Sequence, residues 1–220
     1  MKKSLLAITA LTLAFAATAR SGSVVFDNFS GTFTQIQANG EAISAGTGFV
    51  AVGTTSLTPA ELSGELFGGG RIRALLAADF VQFGDSITFG FGGFDGYFQG
   101  NAQGNGGAAD FAGNPVILVA GNGASILESS SLLIIAGADS FAADAPVFSS
   151  NVGPDAGQLV FGAAGGTNTL DANFGAIQMG DVVPEPGDVR HDVVVHQGAR
   201  HARRRAALGR GARARRRRGG

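Results

Sequence analysis

The chain has 220 residues with 36 glycines, 17 phenylalanines and one tyrosine, and it has neither cysteine nor tryptophan. Its formal net charge of −1 averages two unlike stretches: residues 20–186 carry three arginines against fifteen carboxylates, and residues 187–220 carry eleven arginines against Asp188 and Asp192. All three histidines fall in the basic stretch, so residues 20–186 hold no disulfide framework, no cysteine-based zinc site, no cysteine nucleophile and no histidine base.

Residues 1–19 have the three parts of a secretory signal peptide. Lys2 and Lys3 give the positive start, Leu5 to Ala17 is an unbroken run without charge, and Ala17-Thr18-Ala19 puts small side chains where signal peptidase has narrow pockets. The run is shorter than the ~20 residues a membrane-spanning helix needs. Cleavage after Ala19 is expected, leaving Arg20 as the mature N-terminus of an exported protein in the cell envelope or outside it.

Residues 20–182 hold 30 of the glycines and 16 of the phenylalanines and no lysine. Phe, Val, Ile and Thr suit a pleated, half-buried surface, and glycine punctuates it. Strands are expected at Ser23 to Phe29, Thr32 to Gln37 and Gly48 to Thr54, and at Ser86 to Phe91 with Ile87, Phe89 and Phe91 on one face. Val116 to Ala120 and Leu132 to Ala136 are continuous apolar runs of the kind buried on both faces, and Gln158 to Gly162 reads as the last strand. Thr58-Pro59-Ala60-Glu61 carries a capping box with proline at the first helical position. Arg71 to Phe83 places Ile72, Leu75, Leu76, Phe80 and Phe83 near a helical period. The expected fold is mainly β, a β-sandwich or jelly-roll-like body with one or two short helices.

The segment Gly90 to Gly107 has two readings. Tyr97, Phe94 and Phe98 could form an aromatic surface that stacks on sugar rings. The favoured reading sends the phenylalanines inward from a strand and lets the Gly/Asn/Gln stretch turn as a loop, because sugar platforms lean on Trp and Tyr. Asn28-Phe29-Ser30 fits the glycosylation sequon as a chance match. Asp171-Ala172-Asn173-Phe174-Gly175 has the opening spacing of a calcium loop but lacks its later ligands, and Gly104 to Asp110 has the wrong spacing for a calcium repeat; both read better as turns. No cofactor is expected, with calcium as the weak exception. The fifteen acids permit a carboxylate pair for glycoside hydrolysis, but no spacing selects one, and the protein reads as a non-enzyme.

The body ends at Val183-Pro184-Glu185-Pro186, a stiff, extended, non-helical tetrapeptide that an enzyme can grip. Together with the signal peptide, this V-P-E-P motif resembles the PEP-CTERM family of exported bacterial proteins. The resemblance covers about a tenth of the chain. It implies processing by an exosortase-like membrane enzyme and sorting to a cell surface or matrix rich in exopolysaccharide. In that family a transmembrane helix follows the motif. Here residues 187–220 are Arg-rich instead, and arginine at mid-helix costs ~3 kcal/mol each. The expected anchor is therefore absent, and the tail is expected to be disordered. A frameshift accounts for it: codons for Gly187 onward can be chosen so that reading one base later gives Ala-Thr-Ser-Ala-Met-Met-Leu-Leu-Phe-Ile-Arg. As a genuine basic arm the tail would neutralise phosphates, but nucleic acid is not an expected partner of an exported chain. His191, His196 and His201, five apart, suit neither one helix face nor a zinc finger.

Overall fold

The computed structural model describes residues 21–29, 33–64, 69–142, 147–155 and 157–182. The signal peptide, the V-P-E-P motif and the basic tail lie outside them. One compact unit runs to Val183, and its described part is a β-sandwich with two short helices on one side.

The central sheet is built on the two apolar runs. Strands β7 (Pro115–Gly121) and β8 (Ser131–Ser140) pair antiparallel, and β4 (Phe49–Thr54) adds to the other edge of β7. Beyond β4 lies the two-residue strand β5 (Val81–Gln82). The outer edge of β8 takes both β10 (Gly157–Phe161) and β13 (Gly180–Asp181). Side chains alternate across a strand, so a strand buried on both faces must be apolar throughout. Val50, Val52, Leu118, Leu133 and Ile135 point into one core. Phe49, Ala51, Ile117, Val119, Leu132 and Ile134 point into the other. Each of these valine, leucine, isoleucine and phenylalanine side chains, fully buried, contributes roughly 1.5–3 kcal/mol.

The second core is closed by the helices. Thr58 caps α1 (Pro59–Leu62): Glu61 N–H donates to its hydroxyl, and the Glu61 carboxylate accepts from Thr58 N–H at 2.8 Å. The bond from the Thr58 backbone, and after it the Thr58 hydroxyl donating to the same carboxylate at 2.8 Å, hold the Glu61 carboxyl below its ordinary value. Helix α2 (Gly69–Asp79) buries Ile72 and Leu76, one turn apart, with Leu62 of α1. It ends at Asp79, four residues short of the expected Phe83. There the carboxylate accepts from Thr55 Oγ1 and Ser56 N at 2.6 Å each and from Ser56 Oγ at 2.8 Å. The Thr55 hydroxyl bond is the main reason the Asp79 carboxyl is held down. Past this knot the chain runs into β5, and Phe83 turns into the first core.

The first core is covered by two smaller sheets. In one, β1 (Ser21–Asp27) lies between β6 (Gln99–Gly104), antiparallel, and β9 (Val147–Val152), parallel. In the other, β2 (Gln35–Ala38) lies between β3 (Glu41–Ala42) and the parallel β12 (Ala176–Gln178), with β11 (Ala163–Ala164) at the edge. Several expectations change here. Gln99–Gly104 is a strand rather than a loop, because β1 supplies its backbone partners. Gln158–Gly162 is not the last strand, since β11, β12 and β13 follow. Ser86–Phe91 is no strand beyond one bridge between Ile87 and Val50. Phe89 is buried, but Gly90 at φ 115 breaks the alternation and leaves Phe91 outside, 41% exposed.

Candidate functional site

At one end of the sandwich the rings of Phe29, Phe33, Phe91, Phe94, Tyr97 and Phe174 line an open cleft of about 410 Å³, with Leu170 and Asp171. Phe33, Phe91, Phe94, Leu170 and Phe174 are all exposed large apolar residues. Such concentration in a single patch marks an interaction surface, whereas isolated exposed apolar residues are ordinary.

Three loops carry these rings, and buried amides fix the loops to one another. Asn28 is 1% exposed. Its Nδ2 donates to Thr34 O at 2.7 Å and Gly96 O at 2.8 Å, and its Oδ1 accepts from Phe98 N at 2.8 Å. The loop bearing Phe29 and Phe33 is thereby tied to the loop bearing Phe94 and Tyr97. Asn28 is thus used up inside the fold, and the sequon offers no accessible acceptor in the folded protein. Gly96 must be glycine: it has φ +75, and a Cβ would lie 2.6 Å from Ile36 O.

Asn168 fixes the third loop. Its Nδ2 donates to Tyr97 Oη at 2.7 Å, Phe33 O at 2.9 Å and Gly175 O at 3.3 Å. Its Oδ1 accepts from Leu170 N and Asp171 N. The Tyr97 hydroxyl in turn donates to Phe33 O at 3.1 Å. Gln35, buried on β2, continues the clamp through Thr169 and the Asp95 carbonyl, and Gln37 holds the Thr167 carbonyl and Gln178. Phe33 sits at φ +46, a left-handed conformation costing a bulky residue roughly 1–2 kcal/mol. Its carbonyl, bonded by both Tyr97 and Asn168, holds it there.

The rings are not coplanar. Phe29 and Phe91 stack with centroids 4.6 Å apart and planes 3° apart. Phe33 is tilted 46° to Phe29 and 38° to Phe174, and Phe94 stands at 74° to Tyr97. Of the three aromatic residues singled out in the sequence, only Phe94 is exposed. Tyr97 contributes one wall but is 4% exposed, and Phe98 is in the core against Phe26 and Phe89. Phe29, Phe33, Phe91 and Phe174 were not anticipated. Phe91 and Phe174 adjoin glycine, in Phe91-Gly92-Gly93-Phe94 and Phe174-Gly175, whereas Phe29 and Phe33 lie in stretches that read as strands and carry no such signal.

Other sequence candidates stay apart. Asp171 Oδ1 accepts from Asn173 N and Nδ2, the geometry of a side-chain turn. Among the described residues, no three His, Cys, Asp or Glu side chains come together to hold a metal. Among the described residues, a second cleft of about 300 Å³ between Phe49, Phe80 and Leu127 is lined by no carboxylate, and the aromatic cleft by Asp171 alone. No helix among the described residues is long and apolar enough to cross a membrane. The sorting residues Ala17, Ala19 and Val183 to Pro186 lie outside the described residues. No family model, curated protein or solved structure matches the chain.

Proposed function

We propose that this is an exported, non-catalytic protein of the cell surface or extracellular matrix, delivered by a signal peptide and a PEP-CTERM-like sorting motif. The observation that carries the reading is the position of V-P-E-P in the chain: it begins at Val183, directly after Val182, which is fully buried and donates its N–H to Ser130 O. Exosortase-like processing and an exopolysaccharide-rich setting follow from the resemblance. The non-catalytic reading draws on the sequence, where no spacing among the fifteen acids selects the pair that two-carboxylate hydrolysis needs.

Expression of the full-length gene in a Gram-negative host tests the export. N-terminal sequencing should find mature protein beginning at Arg20, outside the cytoplasm. Cytoplasmic chain that keeps residues 1–19 would overturn the reading. In a host with an exosortase, Glu185→Ala should abolish processing near the motif. Resequencing the gene across codons 180–220 tests the frameshift, which predicts an apolar stretch one base out of frame. A second reading, a carbohydrate-binding module, draws on the exposed ring of Phe94. Glycan-array binding lost on Phe94→Ala would favour it. Tyr97→Ala is a poorer test, because Tyr97 is part of the loop clamp.

A further inference from the structure

We propose that the aromatic cleft binds a quaternary or N-methylated ammonium group, held by ring faces and by the carboxylate that lines it. Four features of the cleft favour that class over its competitors.

The first is ring orientation. A sugar platform presents one flat surface. Here the only coplanar pair, Phe29 and Phe91, is stacked on itself, and the other rings stand at 38° to 74° to their neighbours. Rings at several angles around one space can turn more than one face toward a rounded group, which a methylated ammonium is. Each ring face carries the negative end of its quadrupole, and several faces add on one cation.

The second is polarity. Sugars are held by hydrogen bonds, yet the Tyr97 hydroxyl and the Asn168 amide are committed to the loop clamp. A quaternary ammonium has no N–H to satisfy and gains from an apolar wall that excludes water. The third is charge. Among the described residues Asp171 is the only charged one lining the cleft, and it is exposed. Its negative charge attracts a cation and repels anions such as fatty acids. The fourth is construction. A bulky residue is held in a left-handed conformation, and buried amides brace three loops to keep the rings partly in water. Strain and exposure that the fold sustains at one place point to a site.

This inference is independent of the export reading and holds for the folded body wherever the chain goes. Its test is isothermal titration of the full-length protein with choline and tetramethylammonium, beside the neutral isostere of choline in which carbon replaces the quaternary nitrogen. Choline should bind at least ~10-fold more tightly than the isostere. Phe91→Ala should weaken choline about 10-fold, and Asp171→Asn should weaken it several-fold while leaving the isostere unchanged. Asp171 is exposed, so that variant keeps the comparison valid if the ring variant misfolds. Equal binding of choline and isostere would make the cleft merely apolar and overturn the proposal. Binding of neither cation, or of neutral sugars alone, would overturn it too.

Discussion

The first core and the cleft use the same residue type in opposite ways. In the first core phenylalanine is dry: Phe83, Phe89, Phe98 and Phe141 are each at most 1% exposed. In the cleft, Phe33, Phe91, Phe94 and Phe174 are 37–52% exposed. The core is held by apolar area, which needs no particular partner. The cleft loops are held by amide side chains that do need particular partners, Asn28, Asn168, Gln35 and Gln37. The first region specifies the fold, and the second spends part of the fold's stability to display rings.

Substitutions can break this contrast at graded cost. Phe98→Ala removes a fully buried ring packed on Phe26 and Phe89, and should cost about 4 kcal/mol in urea unfolding. Leu118→Ala, central in β7, should cost about 3 kcal/mol. Asn168→Ala deletes no large apolar group, but it strips donors from Phe33 O and Gly175 O and leaves the Tyr97 hydroxyl without its donor. A loss of about 2 kcal/mol is expected, with weaker binding in the cleft. Phe94→Ala, only four residues before Phe98, should change stability by no more than ~0.5 kcal/mol. A large loss there would mean that the cleft rings are structural after all.

The helical side offers a pH test. The fold lowers the Asp79 carboxyl below its unfolded value, chiefly through the Thr55 hydroxyl. Its contribution is therefore complete above the usual carboxylate range and is lost as pH falls through the lowered folded value. Denaturation of wild type and Asp79→Asn across pH should show the difference largest near neutrality and closing in acid. A difference that stays constant with pH would remove the carboxylate's charge from the explanation.

Sequence reading succeeded where periodicity and burial coincide. Val116 to Ala120 and Leu132 to Ala136 are legible as two-faced strands because every position is apolar, and the Thr58 capping box is a local signal complete in four residues. Strand β6, Gln-Gly-Asn-Ala-Gln-Gly, has no such pattern; it is a strand because β1 offers it a ladder. Strand β2 hides its polarity, with Gln35 and Gln37 buried because their amides brace the cleft. The cleft was legible only at Phe94 and Tyr97. Its rings come from residues 29 to 174 and meet only through positive-φ turns and long-range amide bonds, neither of which leaves a spacing in the chain.

The parallel pairings have a kinetic consequence. Strand β1 begins two residues after Ala19, yet its neighbour β9 ends at Val152, and β2 waits for β12 at Ala176–Gln178. The earliest segments of the chain thus close against some of the latest, and the central strand of one covering sheet stays half-paired until most of the body has been made. High contact order of this kind slows folding. A newly made chain that cannot close early spends longer unfolded, and under the export proposed above that delay would favour passage through a narrow channel before folding.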